Sequence, residues 1–446
     1  MGRILSSPGA LALALCLPAA AHAATDREVE EIRAQIRDLK ASYEARIQAL
    51  EQRLKEVQAA PAPAVVPAPS PPQSVSGGGA QSAGLAAFNP AISAILAGSY
   101  NNFSQDPSAY RISGFPLPPD AGPGRRGFSL GESELTFAAN ADHKFSGALT
   151  FSINADNHVE VEEAFGTFNG APYGIVPKFG RFLSAAGYLN EQHAHAWDFA
   201  DTPLAYQAFL GGQYRTDGAQ ARWVAPTDQY IELGAEVGNG DAFPGTTRNK
   251  NGVGSSVLFA RTGGDIGESH NWLVGLSYLH ARPEGRDDLA NVTGDPVPAT
   301  FTGKSDTVGA QFVWKYAPNG NATRTNFKLQ GEYFWRREKG ELSPLLQEPI
   351  GVDASAFSSR QGGGYIQGVY QFMPMWRAGV RYDRLDPGER SSFAPERATA
   401  MVDWSPSEFS RVRLQFGRAK LAPELTDNEF FLQYILSLGA HGAHRY

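Results

Sequence analysis

Side chains that bind metals and ions are concentrated in one short segment near the middle of the chain. Two histidines, His193 and His195, alternate with alanines there, and the carboxylates Glu191, Asp198 and Asp201 flank them. Imidazole and carboxylate groups together are a ligand set that Zn²⁺ accepts. The same side chains would serve equally well to hydrogen-bond the segment to its surroundings, or remain solvated. Metal binding by His193 and His195 is therefore one hypothesis among these alternatives.

A second pair of histidines lies in the C-terminal tail. His441 and His444 occur in the run Gly439-Ala440-His441-Gly442-Ala443-His444-Arg445-Tyr446. Their imidazoles are the ligands that Zn²⁺ takes most often beside cysteine. Zn²⁺ is thus the only cofactor that the sequence suggests, and the alternative is that no cofactor binds.

The elements that must position these residues are β-strands with one apolar and one polar face. The C-terminal stretch from Glu429 to Leu438 shows the period of two that defines such a strand. Its apolar face and its polar face are, in turn, Phe430, Leu432, Tyr434, Leu436 and Leu438, and then Glu429, Gln433 and Ser437. From residue 91 onward this unit recurs about sixteen times, with strand ends placed to within about three residues.

The breaks between these strands are alternately short and long. Ala141-Asp142 and Met373-Pro374 are short breaks, whereas 104–126 and 282–305 are long ones. Tight turns at one end and long loops at the other are typical of a transmembrane antiparallel β-barrel of the bacterial outer membrane. A soluble β-sandwich would also alternate, but it does not need sixteen strands with strictly alternating break lengths. The sequence therefore predicts an all-β barrel of about sixteen strands.

The 446 residues divide into four segments, three of which precede the barrel. Residues 1–23 have the pattern of a signal peptide, and 24–60 carry a heptad seam that predicts a periplasmic coiled-coil helix. The alternative for this helix is an amphipathic segment that lies on the barrel or the membrane. Residues 61–84 form a Pro/Gly/Ser-rich linker, and 85–446 form the barrel. The coiled coil predicts a homo-oligomer. The seam does not determine the number of chains, and a trimer is favoured because it would match the habit of porins, which the barrel resembles.

Composition also excludes several functional classes. No stretch of the mature chain is apolar for about 18 residues, so a helical membrane protein is excluded. The net charge of −7 gives no reason to expect nucleic-acid binding. The only cysteine, Cys16, falls in the signal peptide, and no catalytic constellation of residues stands out, so we expect no enzyme.

A barrel of this size leaves an aqueous lumen, which makes the loops and the inner wall the places where selectivity is set. The longest break, 183–217, is the third external loop, after 104–126 and 156–157. This organisation resembles that of the general porins, whose third external loop folds into the barrel, and the resemblance implies that Glu191, His193, His195, Asp198 and Asp201 line a constriction. Basic residues predicted to face the lumen are Lys144, Arg222, Lys328, Arg377, Arg381, Arg411 and Arg413. Inward-facing glutamates balance them, so the sign of ion selectivity stays open.

Two short motifs carry a family resemblance. Lys178-Phe179-Gly180-Arg181-Phe182, followed by Gly187-Tyr188-Leu189-Asn190-Glu191, resembles the central segment of the phosphate-selective porin O/P-like family. The histidine-rich segment and the tail are more weakly similar to zinc-responsive outer-membrane receptor-like barrels. The first resemblance implies a porin, although a dense ladder of arginines that would carry phosphate specificity is missing.

Together these features predict an outer-membrane channel for passive diffusion of small hydrophilic solutes or ions, in contact with outer-membrane lipid. The N-terminal helix and the C-terminus are expected on the periplasmic side. The alternatives are a ligand-binding receptor for zinc uptake and a non-conducting adhesin or structural barrel.

Overall fold

The computed structural model describes residues 91–119, 121–154, 158–247, 249–292, 295–345 and 354–439. The signal peptide, the coiled-coil helix, the linker and the tail histidines His441 and His444 lie outside these residues, so those predictions stay predictions. The strands are β1 (Ala91–Phe103), β2 (Gly127–Leu130), β3 (Ser133–Asn140), β4 (Phe145–Ile153), β5 (Val159–Phe168), β6 (Ile175–Leu183), β7 (Arg215–Val224), β8 (Tyr230–Gly238), β9 (Ser255–Ile266), β10 (His270–Ala281), β11 (Arg286–Val292), β12 (Asp295–Tyr316), β13 (Asn326–Pro344), β14 (Ser355–Met373), β15 (Trp376–Asp386), β16 (Glu396–Ser407), β17 (Ser410–Ala422) and β18 (Leu425–Gly439).

Among the residues that the structure describes, helical segments are few and short. One α-helix, α1 (Leu204–Leu210), lies between β6 and β7, and 3-10 turns occur at Pro107–Ala109, Pro172–Gly174, Leu189–Glu191, Ala194–Ala196, Pro318–Gly320 and Gly388–Arg390. Within the described ranges, no helix is long and apolar enough to cross a membrane.

The strands form one closed antiparallel barrel. Each strand pairs with its neighbour in the chain, and β1 closes the sheet by pairing with β18 from Ser93↔Gly439 to Phe103↔Glu429. Because β2 and β3 both pair with β1 as one interrupted strand, and β11 pairs only with β12, the barrel wall has sixteen strands. The predicted fold class and strand number are confirmed.

Connections at the two ends of the barrel differ in length, as the sequence predicted. Tight turns join β14 to β15 and β16 to β17. Long connections join β1 to β2, β6 to β7 and β8 to β9. The start of β1 and the end of β18 meet at the short-turn end, because an even number of strands returns the chain to its starting side.

The barrel is apolar outside and polar inside, which is the reverse of a soluble protein. Leu258, Leu276 and Val380 point outward and are 58%, 61% and 64% exposed. Inward-facing Asp383 and Arg413, by contrast, are both 0% exposed. A continuous apolar outer face on a closed sheet is the surface that a lipid bilayer covers, and the polar interior is where the connection between β6 and β7 lies.

Candidate functional site

The connection between β6 and β7 folds into the barrel, and its two ends are tied together where they leave the wall. Asn190 makes the tie. Its Nδ2 donates to the carbonyl oxygens of Ser184 and Tyr214, each at 2.7 Å, and its Oδ1 accepts a hydrogen bond from Tyr214 N at 2.7 Å. The sequence predicted this break at 183–217. The structure places it at 184–214, which we call the lumen loop.

Two glycines allow the lumen loop to leave the wall at this point. Gly180 on β6 has φ of 124°, and a Cβ there would lie 2.1 Å from the carbonyl oxygen of Ala164. Gly187 in the loop also has φ of 124°, and a Cβ would lie 2.5 Å from the Tyr206 hydroxyl. Neither position has room for a side chain, and both have backbone conformations that favour glycine. The motifs that carry the family resemblance therefore have a packing reason for their glycines.

Glu191 begins the charged stretch of the loop and binds two arginines of the wall. Arg222 on β7 contacts its carboxylate, and Arg261 Nη2 on β9 lies 2.5 Å from its Oε2. The same arginines contact Glu232 at 3.1 and 3.3 Å. Burial alone would raise the pKa of Glu191, but Arg261 and Arg222 lower that pKa to about 2. Glu191 is therefore an anion at neutral pH and fixes the loop to this side of the wall.

The two histidines contact the strands of the wall that precede these in the chain, where their partners are acidic. His193 Nδ1 lies 3.0 Å from Glu134 on β3 and 3.2 Å from Glu162 on β5, and its Nε2 lies 3.2 Å from Glu163. His195 Nδ1 lies 2.7 Å from Glu134. Burial opposes protonation of His193, but the hydrogen bonds that its ring donates to Glu134, Glu162 and Glu163 outweigh burial and raise its pKa well above the usual range.

A β-bulge explains how two consecutive glutamates reach the same histidine. In the β4–β5 pairing, Thr150 faces Glu163 and Phe151 faces Val161, so Glu162 is the extra residue. A regular strand would direct neighbouring side chains to opposite faces. A bulge re-aims a side chain, and here Glu162 and Glu163 both turn into the lumen.

Asp198 holds the next part of the loop against basic residues near the short-turn end. Lys328 Nζ on β13 lies 2.7 Å from its Oδ2, and Arg377 Nη1 on β15 lies 3.1 Å from its Oδ1. Gln367 also donates to it at 3.2 Å. Burial alone would raise the pKa of Asp198, but Lys328 and then Arg377 lower it below its usual range. The carboxylate is thus ionised and paired.

Asp201 continues this row of contacts on the following strands. Arg381 Nη2 on β15 lies 2.9 Å from its Oδ1, Arg397 Nη1 on β16 lies 2.5 Å from its Oδ2, and Gln415 on β17 donates to Oδ1 at 2.5 Å. Buried ion pairs add little net stability, but removing one partner is costly because the other charge is left unpaired. These pairs therefore specify where the loop lies.

Beyond its charged stretch, the loop packs against the wall through apolar contacts. All seven residues of α1 are buried, and Ala205 and Phe209 are 0% exposed. The carboxylate of Glu332 on β13 accepts hydrogen bonds from Tyr188 N at 2.8 Å, Leu189 N at 3.1 Å and the Tyr206 hydroxyl at 2.9 Å. One wall carboxylate therefore anchors both the start of the loop and the helix.

The structure brings together most of the residues that the sequence singled out. All five acidic and histidine residues of the predicted constriction lie in the lumen loop and contact the wall. Six of the seven predicted basic residues contact that loop or its partners: Arg222, Lys328, Arg377, Arg381, Arg411 and Arg413. The structure places the seventh, Lys144, apart from them in the exposed turn before β4.

Several wall residues that complete these contacts were missed in the sequence. Arg261 and Arg397 lie on predicted strands, at positions whose alternation directs their side chains into the lumen. This alternation could have identified them from the sequence. Glu162 and Glu163 had no such signal, because alternation predicts that only one of two neighbours faces inward.

Comparison with known proteins identifies one close relative by sequence. No family model matches the chain. An uncharacterized protein of Aquifex aeolicus (strain VF5) is 32% identical over 349 residues, which cover 72% of this chain and 70% of the relative. The two chains belong to one family. The part of this chain that aligns with the relative must include much of the barrel region, because only 90 residues lie before β1.

Solved structures share the fold at low sequence identity. A loop-deletion mutant of OmpT, an outer membrane protein of Vibrio cholerae, superposes with a TM-score of 0.50 at 11% identity, covering 78% of this chain and 98% of its own. An anion-selective porin from Comamonas acidovorans has a TM-score of 0.48 at 9% identity, with the same coverage of 78% and 98%. The fold is therefore that of outer-membrane barrels, whereas the narrower resemblance to the phosphate-selective porin O/P-like family stays a prediction.

Proposed function

We propose that the protein is an outer-membrane porin-like channel for passive diffusion of small hydrophilic solutes or ions. The observation that carries the proposal is the course of the lumen loop. Within residues 191–201 it contacts β3 and β5 on one side of the barrel and β13 and β15 on the other. A charged segment that crosses a water-filled barrel sets both the width and the charge of the passage. Glu191, His193, His195, Asp198 and Asp201 are the proposed constriction.

An open space on the short-turn side of the loop supports a passage. A cavity of about 310 Å³ lies between the loop and the short turns. Its lining includes His195 from the loop and Arg377 and Arg411 from the wall. Ala138 and Asn140 lie on the same inward face of β3 as Glu134, and both are exposed. The lumen is therefore open at this end of β3 as well. We call this open space the vestibule, and we expect the loop to be the narrowest point between the vestibule and the long-loop end.

The apolar barrel wall and the N-terminal sequence lead to further expectations about the surroundings and assembly of the protein. We expect outer-membrane lipid around the apolar wall, both chain ends on the periplasmic side and no catalytic activity. A homo-oligomer is expected because the heptad seam of residues 24–60 needs partner helices, and a trimer is favoured because it would match the habit of porins.

Single-channel conductance of the purified protein in planar bilayers tests the function directly. We expect discrete conductance steps and a reversal potential under a salt gradient that reports the charge of the loop and wall. A silent barrel that still binds a ligand tightly would instead favour a receptor for metal uptake or an adhesin.

Deleting residues 190–201 tests the constriction. Conductance should rise, because the deletion removes the segment that crosses the lumen. A matched control replaces the same residues by a Gly/Ser stretch of equal length, which separates the effect of charge from that of bulk. Heat-modifiable migration on gels shows that each variant is folded. Unchanged conductance in the folded deletion variant would rule out the constriction role.

Epitope tags test the orientation of the barrel. Tags within 286–300 or 340–356, on the long-loop side, should be labelled on intact cells. Tags at 226–228, in a short turn, or at 405–407, where β16 ends beside a short turn, should be labelled only after the outer membrane is opened. The reverse pattern would contradict the proposed topology.

A further inference from the structure

In most ion pairs that hold the lumen loop, the loop supplies the acid and the wall supplies the base, and the histidines are the exception. Glu191, Asp198 and Asp201 are loop acids that bind basic residues of the wall. At His193 and His195 this assignment is reversed, because here the wall supplies the acidic side chains. The ion pairs that the structure gives to the three wall glutamates of this cluster go to the two imidazoles. Three carboxylates thus face two imidazoles, so the cluster keeps an excess of negative charge even when both rings are protonated, and a buried excess of negative charge attracts a cation.

We propose that Glu134, His193 and His195 form a binding site for a divalent transition-metal ion, with Glu162 as a further carboxylate ligand. The ligand atoms of Glu134, His193 and His195 lie within 4.8 Å of one another. A tetrahedral ion with bonds of about 2.1 Å holds its ligand atoms roughly 3.4 Å apart. The observed separations of 3.0, 3.2 and 2.7 Å therefore need only small shifts to open around an ion.

The chemistry of this set suits a first-row transition metal. Two imidazoles with carboxylates are the ligands that Zn²⁺ takes in many sites, whereas Ca²⁺ and Mg²⁺ prefer oxygen atoms alone. Glu134 presents one oxygen to each histidine, with Oε2 toward His193 and Oε1 toward His195. A single carboxylate can therefore bridge the two imidazoles or bind the ion beside them.

Glu163 supplies the supporting contact that metal-binding histidines usually have. While Nδ1 of His193 faces Glu134 and Glu162, its Nε2 lies 3.2 Å from Glu163. A ligating histidine typically donates its other ring N–H to a carboxylate, which fixes the ring orientation and raises ligand basicity. The two nitrogens of His193 thus have separate carboxylate partners, which is the arrangement that a ligand with an orienting neighbour requires.

The basic side chains near this cluster also contact other groups. Lys178 Nζ lies 4.4 Å from the ring centroid of Phe165, and Arg215 pairs with Glu160 at 2.6 Å. A bound ion would add positive charge directly between the glutamates. It would also connect β3 and β5 of the wall to the lumen loop, a link between residues about sixty positions apart in the chain that restricts loop movement.

Zinc binding to the full-length protein in detergent tests the site without reference to conduction. The protein is stripped with a chelator and titrated with Zn²⁺ by calorimetry, and Co²⁺ substitution reports the ligand geometry by visible absorption. Glu134→Gln and the double variant His193→Ala/His195→Ala should each weaken binding by roughly 100-fold or more, beyond the effect of losing an orienting residue. Heat-modifiable migration confirms that each variant is folded.

The matched control is His143→Ala/His158→Ala, which removes two exposed histidines that lie outside the lumen loop and should leave this binding unchanged. Glu163→Gln is an intermediate variant, expected to weaken binding by about 10–100-fold because it orients a ligand. The proposal is overturned if Zn²⁺ binds as tightly to the folded His193→Ala/His195→Ala variant as to the wild type, or if the wild type binds none. A failed channel measurement would leave this test unaffected.

Discussion

Replacing Glu332 by leucine should release the lumen loop from the wall while the barrel remains folded. Glu332 is 4% exposed and accepts hydrogen bonds from the backbone N–H groups of Tyr188 and Leu189, at 2.8 and 3.1 Å. Leucine has a similar size but no acceptor. The Tyr206 hydroxyl, which also donates to Glu332, can rotate toward another acceptor, but the two backbone groups cannot. The docked loop would therefore contain two buried donors without partners.

The size of the effect follows from those two donors. Each buried N–H without a partner costs about 1–3 kcal/mol, so the docked state loses about 2–6 kcal/mol. Since about 1.4 kcal/mol corresponds to a factor of ten, the equilibrium constant for loop release should rise by between about 30-fold and about 10⁴-fold. Apolar packing of α1 is unchanged by the substitution, which makes the lower part of this range the expectation.

A buried thiol measures the release. Ala205 in α1 is 0% exposed, so an Ala205→Cys background should react with a thiol reagent only when the loop leaves the wall. The predicted mature chain has no other cysteine. The labelling rate of Ala205→Cys/Glu332→Leu is compared with that of Ala205→Cys/Glu268→Gln, which alters an exposed glutamate in a short turn. Rates within threefold of each other, in barrels that both show heat-modifiable migration, would refute the anchoring role of Glu332.

Two further predictions concern ion passage. Asp198→Asn leaves Lys328 and Arg377 without their shared anionic partner, so the reversal potential under a salt gradient should shift toward anion preference; a shift toward cations would contradict the proposed position of this charge in the passage. Micromolar Zn²⁺ should reduce single-channel conductance in the wild type, and His193→Ala with His195→Ala should remove this reduction; a block that survives in the folded double variant would place the blocking ion elsewhere.

Alternation along the strands made the barrel predictable from the sequence. Phe430, Leu432 and Tyr434 point outward on β18 while Glu429 and Gln433 lie on the inner face, as predicted. Such a pattern survives in the sequence because lipid contacts every outward position and accepts only apolar side chains. The alternating lengths of the breaks added an independent signal, since neighbouring strands of a barrel must be joined at opposite ends.

The partners of the lumen loop were less predictable, because they depend on pairings between distant parts of the chain. His195 contacts Glu134 across 61 positions, and Asp198 contacts Arg377 across 179 positions. Inward parity reduces the candidates on each strand, but it does not say which of them lies at the depth of the loop. At Glu162 even the alternation of side chains fails as a guide, because the bulge adds a residue to β5 but not to β4.

Two kinds of attachment hold the lumen loop, and they respond differently to the surrounding solution. The segment around α1 is held by apolar packing and by hydrogen bonds to Glu332, neither of which requires a counterion. The stretch from Glu191 to Asp201 is held by charged pairs, whose strength depends on local screening and on any cation bound at the histidines. This stretch is also the part that borders the open vestibule, through His195. The residues proposed to set the width of the passage are therefore those whose attachment depends most on ions, while the packed helix keeps the rest of the loop in place.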